Sequence, residues 1–229
     1  MRRITFILGL LTCALWLSVP ARAGDIRGRI VISRSLTKKR VSIPNYQMRG
    51  VSVPSESLEP VQDEEYKRIA VYLEAPSASI PQEATANMFQ RNIEFHPEVV
   101  VVPVGSTVSF PNGDPIFHNV FSLSPAKKFD LGFYPEGETR TVTFNRAGVV
   151  QVYCHLHPDM NAAILVVPNS WFVQPGPEAT FSFSDIPAGR YRVVVWHKSA
   201  GFFRKTIEVL ENGSREVSFE IPSPEATAR

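Results

Sequence analysis

The chain has 229 residues, with 24 basic and 22 acidic side chains, a formal charge of +2 and two cysteines. That length suits one or two small domains. The near balance of charge argues against nucleic acid as a partner, and two cysteines are too few for a disulfide-stapled scaffold.

The chain opens on Met1-Arg2-Arg3, an apolar run from Ile4 to Val19, and Ala21-Arg22-Ala23. A basic start, a short apolar stretch and a small-residue cleavage site predict a secretory signal over 1–23 and a periplasmic mature protein. An uncleaved anchor is the alternative, but the run is short for a span. Thr12 before Cys13 is not the small residue of a lipoprotein site. Removing the signal takes away Arg2, Arg3 and Arg22, so 24 basic residues become 21 against 22 acidic, a formal charge of −1. No stable membrane span is then expected. Cys13 leaves as well, and Cys154 is then the lone cysteine, unable to form an internal disulfide. A lone exported thiol is either reactive or a ligand.

Short runs of Val, Ile, Phe and Tyr recur between Pro, Gly, Asn and Asp, a pattern that predicts an all-β chain. The expected strands are Ile26–Ile32, Ile69–Glu74, Val99–Pro103, Thr107–Phe110, Asn119–Ser122, Thr139–Phe144, Gly148–Tyr153 and Ala163–Val167. Ala179–Phe183, Arg190–His197, Lys205–Leu210 and Arg215–Ile221 follow. Breaks fall at Pro111-Asn112-Gly113-Asp114-Pro115, Pro135-Glu136-Gly137, Pro187-Ala188-Gly189 and Asn212-Gly213, where Pro fixes φ and Gly or Asn tolerates positive φ. Ser33 to Lys67 has no clear period and reads as a long loop.

The densest chemistry lies in Cys154-His155-Leu156-His157-Pro158-Asp159-Met160 and, upstream, His118-Asn119-Val120. Cys154, His157 and Met160 are spaced by three, so one turn can gather a thiolate, an imidazole and a thioether. His118 supplies a second imidazole from a separate turn. Two His, one Cys and a weak axial Met form the ligand set of a blue-copper electron-transfer site. Zinc is the competitor, since Cys-His-His also suits it, but a thioether adds little for zinc.

His-Asn-Val and Cys-x-x-His-x-x-Met resemble the cupredoxin family, and the loop with Pro158 resembles that of amicyanin. Phe95-His96-Pro97, Val102-Pro103-Val104-Gly105, Phe110-Pro111-Asn112 and Phe117-His118-Asn119-Val120-Phe121-Ser122 also resemble an exported group labelled methylamine-utilisation proteins. Phe181-Ser182-Phe183-Ser184-Asp185-Ile186-Pro187-Ala188-Gly189-Arg190-Tyr191 is similar to the carboxypeptidase-regulatory-like, transthyretin-like sandwich. Gly24-Asp25-Ile26-Arg27-Gly28 and Ala70-Val71-Tyr72-Leu73-Glu74 resemble its first two strands.

These resemblances imply a cupredoxin Greek-key sandwich over 84–168, inserted into an outer sandwich built from 24–80 and 169–224. They imply one type 1 copper on His118, Cys154, His157 and the axial Met160. Asn119 is expected to send its side-chain amide across to the cysteine loop. Tyr153 offers a flank route for electrons or simple core packing. Pro158, Phe117 and Pro115 form an apolar patch around the edge of His157. His155 is expected to point away from Cys154, with a secondary copper contact as the alternative. His96 is expected to be exposed in a turn, and His197 exposed at a strand end.

Oxidases with further copper centres carry His on both sides of the Cys, and here Tyr153 precedes it. An enzyme is therefore not expected. The leading reading is single-electron carriage between redox partners, a dehydrogenase or a cytochrome c-like protein, through weak, transient complexes. A periplasmic copper carrier or store, or an interaction module with a structural metal site, are the alternatives.

Overall fold

A computed structural model describes residues 23–33, 61–75 and 82–221. The expected signal, 1–22, and most of the expected loop, 34–60, lie outside the described residues. The all-β expectation holds: seventeen strands and one short 3₁₀ helix account for the regular structure there. In chain order these are β1 (Ala23–Ile32), the 3₁₀ helix (Val61–Arg68), β2 (Ile69–Glu74), β3 (Thr85–Asn87), β4 (Phe89–Arg91) and β5 (Glu94–His96). Next come β6 (Val99–Pro103), β7 (Thr107–Pro111), β8 (His118–Ser124), β9 (Lys127–Tyr134), β10 (Thr139–Thr143), β11 (Gly148–Tyr153) and β12 (Asn161–Val167). The chain ends with β13 (Phe172–Val173), β14 (Thr180–Pro187), β15 (Gly189–His197), β16 (Gly201–Val209) and β17 (Ser214–Ile221).

A five-stranded sheet, β6-β12-β11-β8-β9, packs on a three-stranded one, β10-β7-β3. Inward residues such as Met88, Phe110, Val120, Tyr134, Phe144, Val152 and Ile164 fill the space between them. A second pair of sheets, β14-β1-β17 and β13-β2-β15-β16, encloses Ile26, Val71, Leu73, Phe181, Ile186, Val193 and Phe219. This pair draws β1 and β2 from before the first sandwich and β13 to β17 from after it. β1 lies antiparallel to β14 and parallel to β17. A Cβ at Gly28 would sit 2.1 Å from the Phe181 ring, so only glycine lets β1 approach that closely.

The two sandwiches share a third apolar layer. Ala70, Tyr72, Val194 and Trp196 of β2 and β15 pack on Val99, Val101, Ala163, Leu165 and Val167 of β6 and β12. This layer explains the sequence of those strands. β6 reads Val-Val-Val-Val-Pro and is buried throughout, as is β2 up to Leu73, because both faces of each sheet are covered. β14, with one solvated face, alternates strictly over its first five residues. Among the described residues no helix is long and apolar enough to cross a membrane.

The reading of 33–67 as one loop needs correction at its end, where 61–68 forms the 3₁₀ helix. β3, β4, β5, β9 and β13 were not expected either. Four of them are only two or three residues from end to end, and β9 is an edge strand interrupted by Gly132 in the left-handed region (φ 67°).

Candidate metal centre

Where β7 ends, the Asn112 side chain shapes the next turn. Its amide donates to the carbonyls of Ile116 (2.9 Å) and Tyr134 (3.1 Å), and its oxygen accepts the Asp114 N–H (3.0 Å). This aims the buried Asp114 carboxylate back at the start of β8. There it accepts the N–H groups of Asn92 (2.7 Å) and Ile93 (2.9 Å) and meets His118 Nε2 at 2.9 Å. Burial pushes the Asp114 carboxyl up, but the Ile93 amide, the His118 ring and the Asn92 amide outweigh it and hold the group below the ordinary carboxylate range. An ionised carboxylate only accepts, so His118 carries its proton on Nε2 and turns the Nδ1 lone pair inward.

The second half of the site is one tight loop. The Cys154 N–H donates to the Met160 carbonyl (3.3 Å), and the Met160 N–H donates to the His157 carbonyl (2.9 Å). These bonds fold the segment after β11 back on itself before β12 begins. His118, Cys154 and His157 thereby place one ligand atom each within 4.8 Å of one another. The edges of the triangle are 3.1 Å between the two Nδ1 atoms, 3.6 Å from Sγ to His157 Nδ1 and 3.9 Å from Sγ to His118 Nδ1. A trigonal ion with bonds of about 2.0 Å to nitrogen and 2.3 Å to sulfur would set those edges at about 3.5 to 3.7 Å. The observed triangle matches within a few tenths of an ångström, so the donor set fits such an ion. Met160 is buried in the same apolar core as Cys154. Partial burial, then the neighbouring His118 ring, lower the His157 pKa, which favours the neutral imidazole that metals need.

Around the triangle, some expectations change. Asn119 does not send its amide to the cysteine loop. Its Nδ2 donates to Asp130 on β9 (2.7 Å), and its main-chain N–H points at Cys154 Sγ instead (3.5 Å). The bulge in the β8–β9 pairing between Asn119 and Phe121 accompanies this change of direction. Tyr153 is 39% exposed and leans on Phe121, which excludes core packing for it. His155 does point away from the triangle: it stacks flat on Phe121 at 3.8 Å and pairs with Asp130 at 3.4 Å. Pro158, Pro115, Phe117 and Leu156 are exposed beside the partly exposed His157. His96 is exposed as expected.

His197 overturns its expectation. It is fully buried, with Nε2 at 2.9 Å from the equally buried Glu65 and Nδ1 accepting the N–H groups of Ser199 and Ala200. A strand-end position said nothing of the 3₁₀ helix that covers it.

Asp114 and Asp130 are the residues that sequence reasoning missed. Asp114 sits four positions before His118 in a stretch that reads only as a turn. Its offset from the histidine is the one signal that could have drawn attention to it.

No family model and no curated protein matches the chain. Among solved structures, a purple cupredoxin from Nitrosopumilus maritimus is similar over 36% of this chain and 99% of its own, at 24% identity and a TM-score of 0.33. A reduced amicyanin variant is similar over 42% of this chain and 99% of its own, at 22% identity and a TM-score of 0.34. The copper-containing nitrite reductase of Thermus scotoductus SA-01 is similar over 42% of this chain, at 24% identity and a TM-score of 0.36, and the likeness covers 25% of that enzyme.

Proposed function

We propose that this chain binds one copper ion in a type 1 site and passes single electrons between exported redox partners. In this reading His118, Cys154 and His157 would hold the ion through two nitrogens and a sulfur, and the Met160 thioether would be a fourth, weaker donor. The observation that carries it is the closed triangle of two Nδ1 atoms and one Sγ, with edges of 3.1 to 3.9 Å. Copper held there would take up and release one electron between Cu(I) and Cu(II).

The protein's part is to keep that ion from rearranging. Asp114 locks the His118 ring, the Asn119 N–H steadies the sulfur, and the Cys154–Met160 loop closes through its own backbone. Burial of His118 and Cys154 favours a retained ion over one handed on, because release would require the loop to open. The exposed edge around His157, with Pro115, Phe117, Leu156 and Pro158, suits a weak and small encounter with a dehydrogenase or a cytochrome c-like protein. In this reading 1–23 is a cleaved export signal, 84–168 is the metal unit, and 24–80 with 169–224 form a carboxypeptidase-regulatory-like outer unit. Electron carriage of the kind used in methylamine utilisation fits it, and no catalytic turnover of its own is assigned.

The visible spectrum of the copper-loaded protein tests this. An intense thiolate-to-copper band should appear, bleach with ascorbate and return on reoxidation, and Cys154→Ser should lack it. A colourless protein with bound copper would favour copper handling. Stoichiometric zinc without copper would reject electron transfer.

A further inference from the structure

The second sandwich reaches the end of the metal loop through the Lys198 side chain. Lys198 follows directly after β15 and is 9% exposed. Its Nζ donates to the Asn161 side-chain oxygen (3.0 Å) and, more weakly, to the Asn161 carbonyl (3.4 Å), and it pairs with Glu98. Asn161 is the first residue of β12 and follows Met160 directly. Its own amide turns back to donate to the Asp159 carbonyl (3.0 Å) inside the loop. Glu98, in the turn before β6, also accepts Arg68 Nε at 2.7 Å, and the Lys198 N–H donates to the Arg68 carbonyl (3.0 Å). Burial raises the Glu98 carboxyl, but Lys198 and Arg68 together hold it below its ordinary value. The anchor under Lys198 is therefore charged on both sides and tied to the 3₁₀ helix, to β15 and to the edge strand β6.

We propose that Lys198 is a positioning residue for the metal loop, pinning Asn161 so that the outer sandwich sets where Met160 rests. This rests on the copper reading of the site for its redox consequence. The loop closes on itself through the Cys154–Met160 and Met160–His157 backbone bonds, and Asn161 is the point where that closed unit rejoins the sheet. A tether at that residue orients the unit as a whole. A thioether would bond copper only weakly, so its distance would follow the backbone that carries it, and the potential would follow that distance. The outer sandwich is thereby part of the site's framework, and anything that binds it and shifts Lys198 has a mechanical path to the metal loop.

The experiment compares four variants with the parent chain. Lys198→Met removes the charge and keeps the stem. Lys198→Arg keeps a cationic donor. Asn161→Ala removes the stronger, side-chain bond of the tether, along with the amide bond to the Asp159 carbonyl, and leaves the Lys198–Glu98 pair intact. Lys205→Met removes a lysine of the same sandwich whose Nζ bonds the Ser218 carbonyl (2.7 Å), far from the loop in sequence and sheet. Amide hydrogen exchange over 154–161 of the metal-free proteins, read by mass spectrometry, should speed up on the order of tenfold in Lys198→Met and in Asn161→Ala, the worth of one charge-assisted hydrogen bond. Lys198→Arg and Lys205→Met should keep the parent rate. In the copper-loaded proteins, the same two tether variants should move the reduction potential and the thiolate-to-copper band, with Arg restoring both.

Unchanged exchange in Lys198→Met and Asn161→Ala would overturn the proposal. So would faster exchange spread evenly over both sandwiches, which is the mark of an ordinary stabilising pair. If the tether variants loosen the loop but no protein, the parent included, shows a copper band, the copper reading fails and the positioning role of Lys198 stands. Should Lys198→Met not fold, Asn161→Ala is read against Asn161→Asp, which loses the same amide bond to the Asp159 carbonyl but keeps the oxygen that Lys198 holds: faster exchange in Ala than in Asp supports the tether, and equal rates overturn it.

Discussion

His118 has two ring nitrogens, and the neighbour of one decides the work of the other. Asp114 accepts the hydrogen bond of Nε2–H in a 2.9 Å contact, which leaves Nδ1 facing Cys154 and His157. Asp114→Asn keeps the size of the side chain but lets an amide N–H face the ring, so the tautomer is no longer imposed. Loss of such a supporting carboxylate is expected to weaken metal affinity by about 10 to 100-fold. Competition against a chelator of known affinity would measure it, and an unchanged constant would show that Asp114 only shapes the turn. The residue scale is also where reading by analogy misdirects. The type of residue after His118 was legible, but its use was not: the main chain of Asn119 serves the sulfur while its amide serves Asp130. Which of two donors on one residue faces the site goes with the bulge between Asn119 and Phe121, a feature of how β8 pairs with β9 and not of the residue itself.

At the scale of elements, strands with a solvated face and strands covered on both sides could both be recognised, since β-branched runs bounded by Gly and Pro mark either. β6, β2 and β12 lacked alternation for the reason now visible, a cover on each side. The 3₁₀ helix was not legible, because its sequence, Val-Gln-Asp-Glu-Glu-Tyr-Lys-Arg, is mostly polar and looks solvated. Beside the Arg68 contacts, Glu65 holds it to the fold, buried against His197. Burial depresses the His197 pKa, and the attraction of Glu65 only partly offsets this; Arg68 and Glu98 are the other charges that face it. A depressed folded pKa means that the unfolded chain takes up the proton first. The contribution of this pair is full above about pH 6.5, the unfolded value, and falls as pH drops below it toward the depressed folded value. Urea unfolding followed from pH 8 to 5 should show stability declining in that window. His197→Gln, which keeps a donor toward Glu65, should flatten that part of the profile. An equal slope in both proteins would assign the decline to other groups.

For the whole molecule, the shared apolar layer makes two sandwiches into a four-sheet stack. Leu165 is 1% exposed and sits in that layer among Tyr72, Val194 and Trp196. Leu165→Ala leaves a cavity between the sandwiches and should cost about 2 to 5 kcal/mol. Because both units lose the same contact, far-UV circular dichroism and tryptophan fluorescence should shift together in denaturant, as a single transition. Two separated transitions in the parent chain would mean that the layer joins the units without coupling their stability.

Composition, turn residues and ligand spacing determined by themselves that the chain is all-β and that one cysteine, two histidines and a methionine form its most distinctive chemistry. Those properties are local: a strand's period, a turn's φ and a three-residue spacing are written within a few positions. Only the tertiary structure decided that His118 and Cys154, 36 residues apart, meet at 3.9 Å, that Asp114 sets a tautomer, and that His197 is interior. It alone placed Lys198 of one sandwich on the loop of the other. Each of those contacts joins strands distant in the chain, and their meeting follows from which sheets share a buried face, a property of the packed whole.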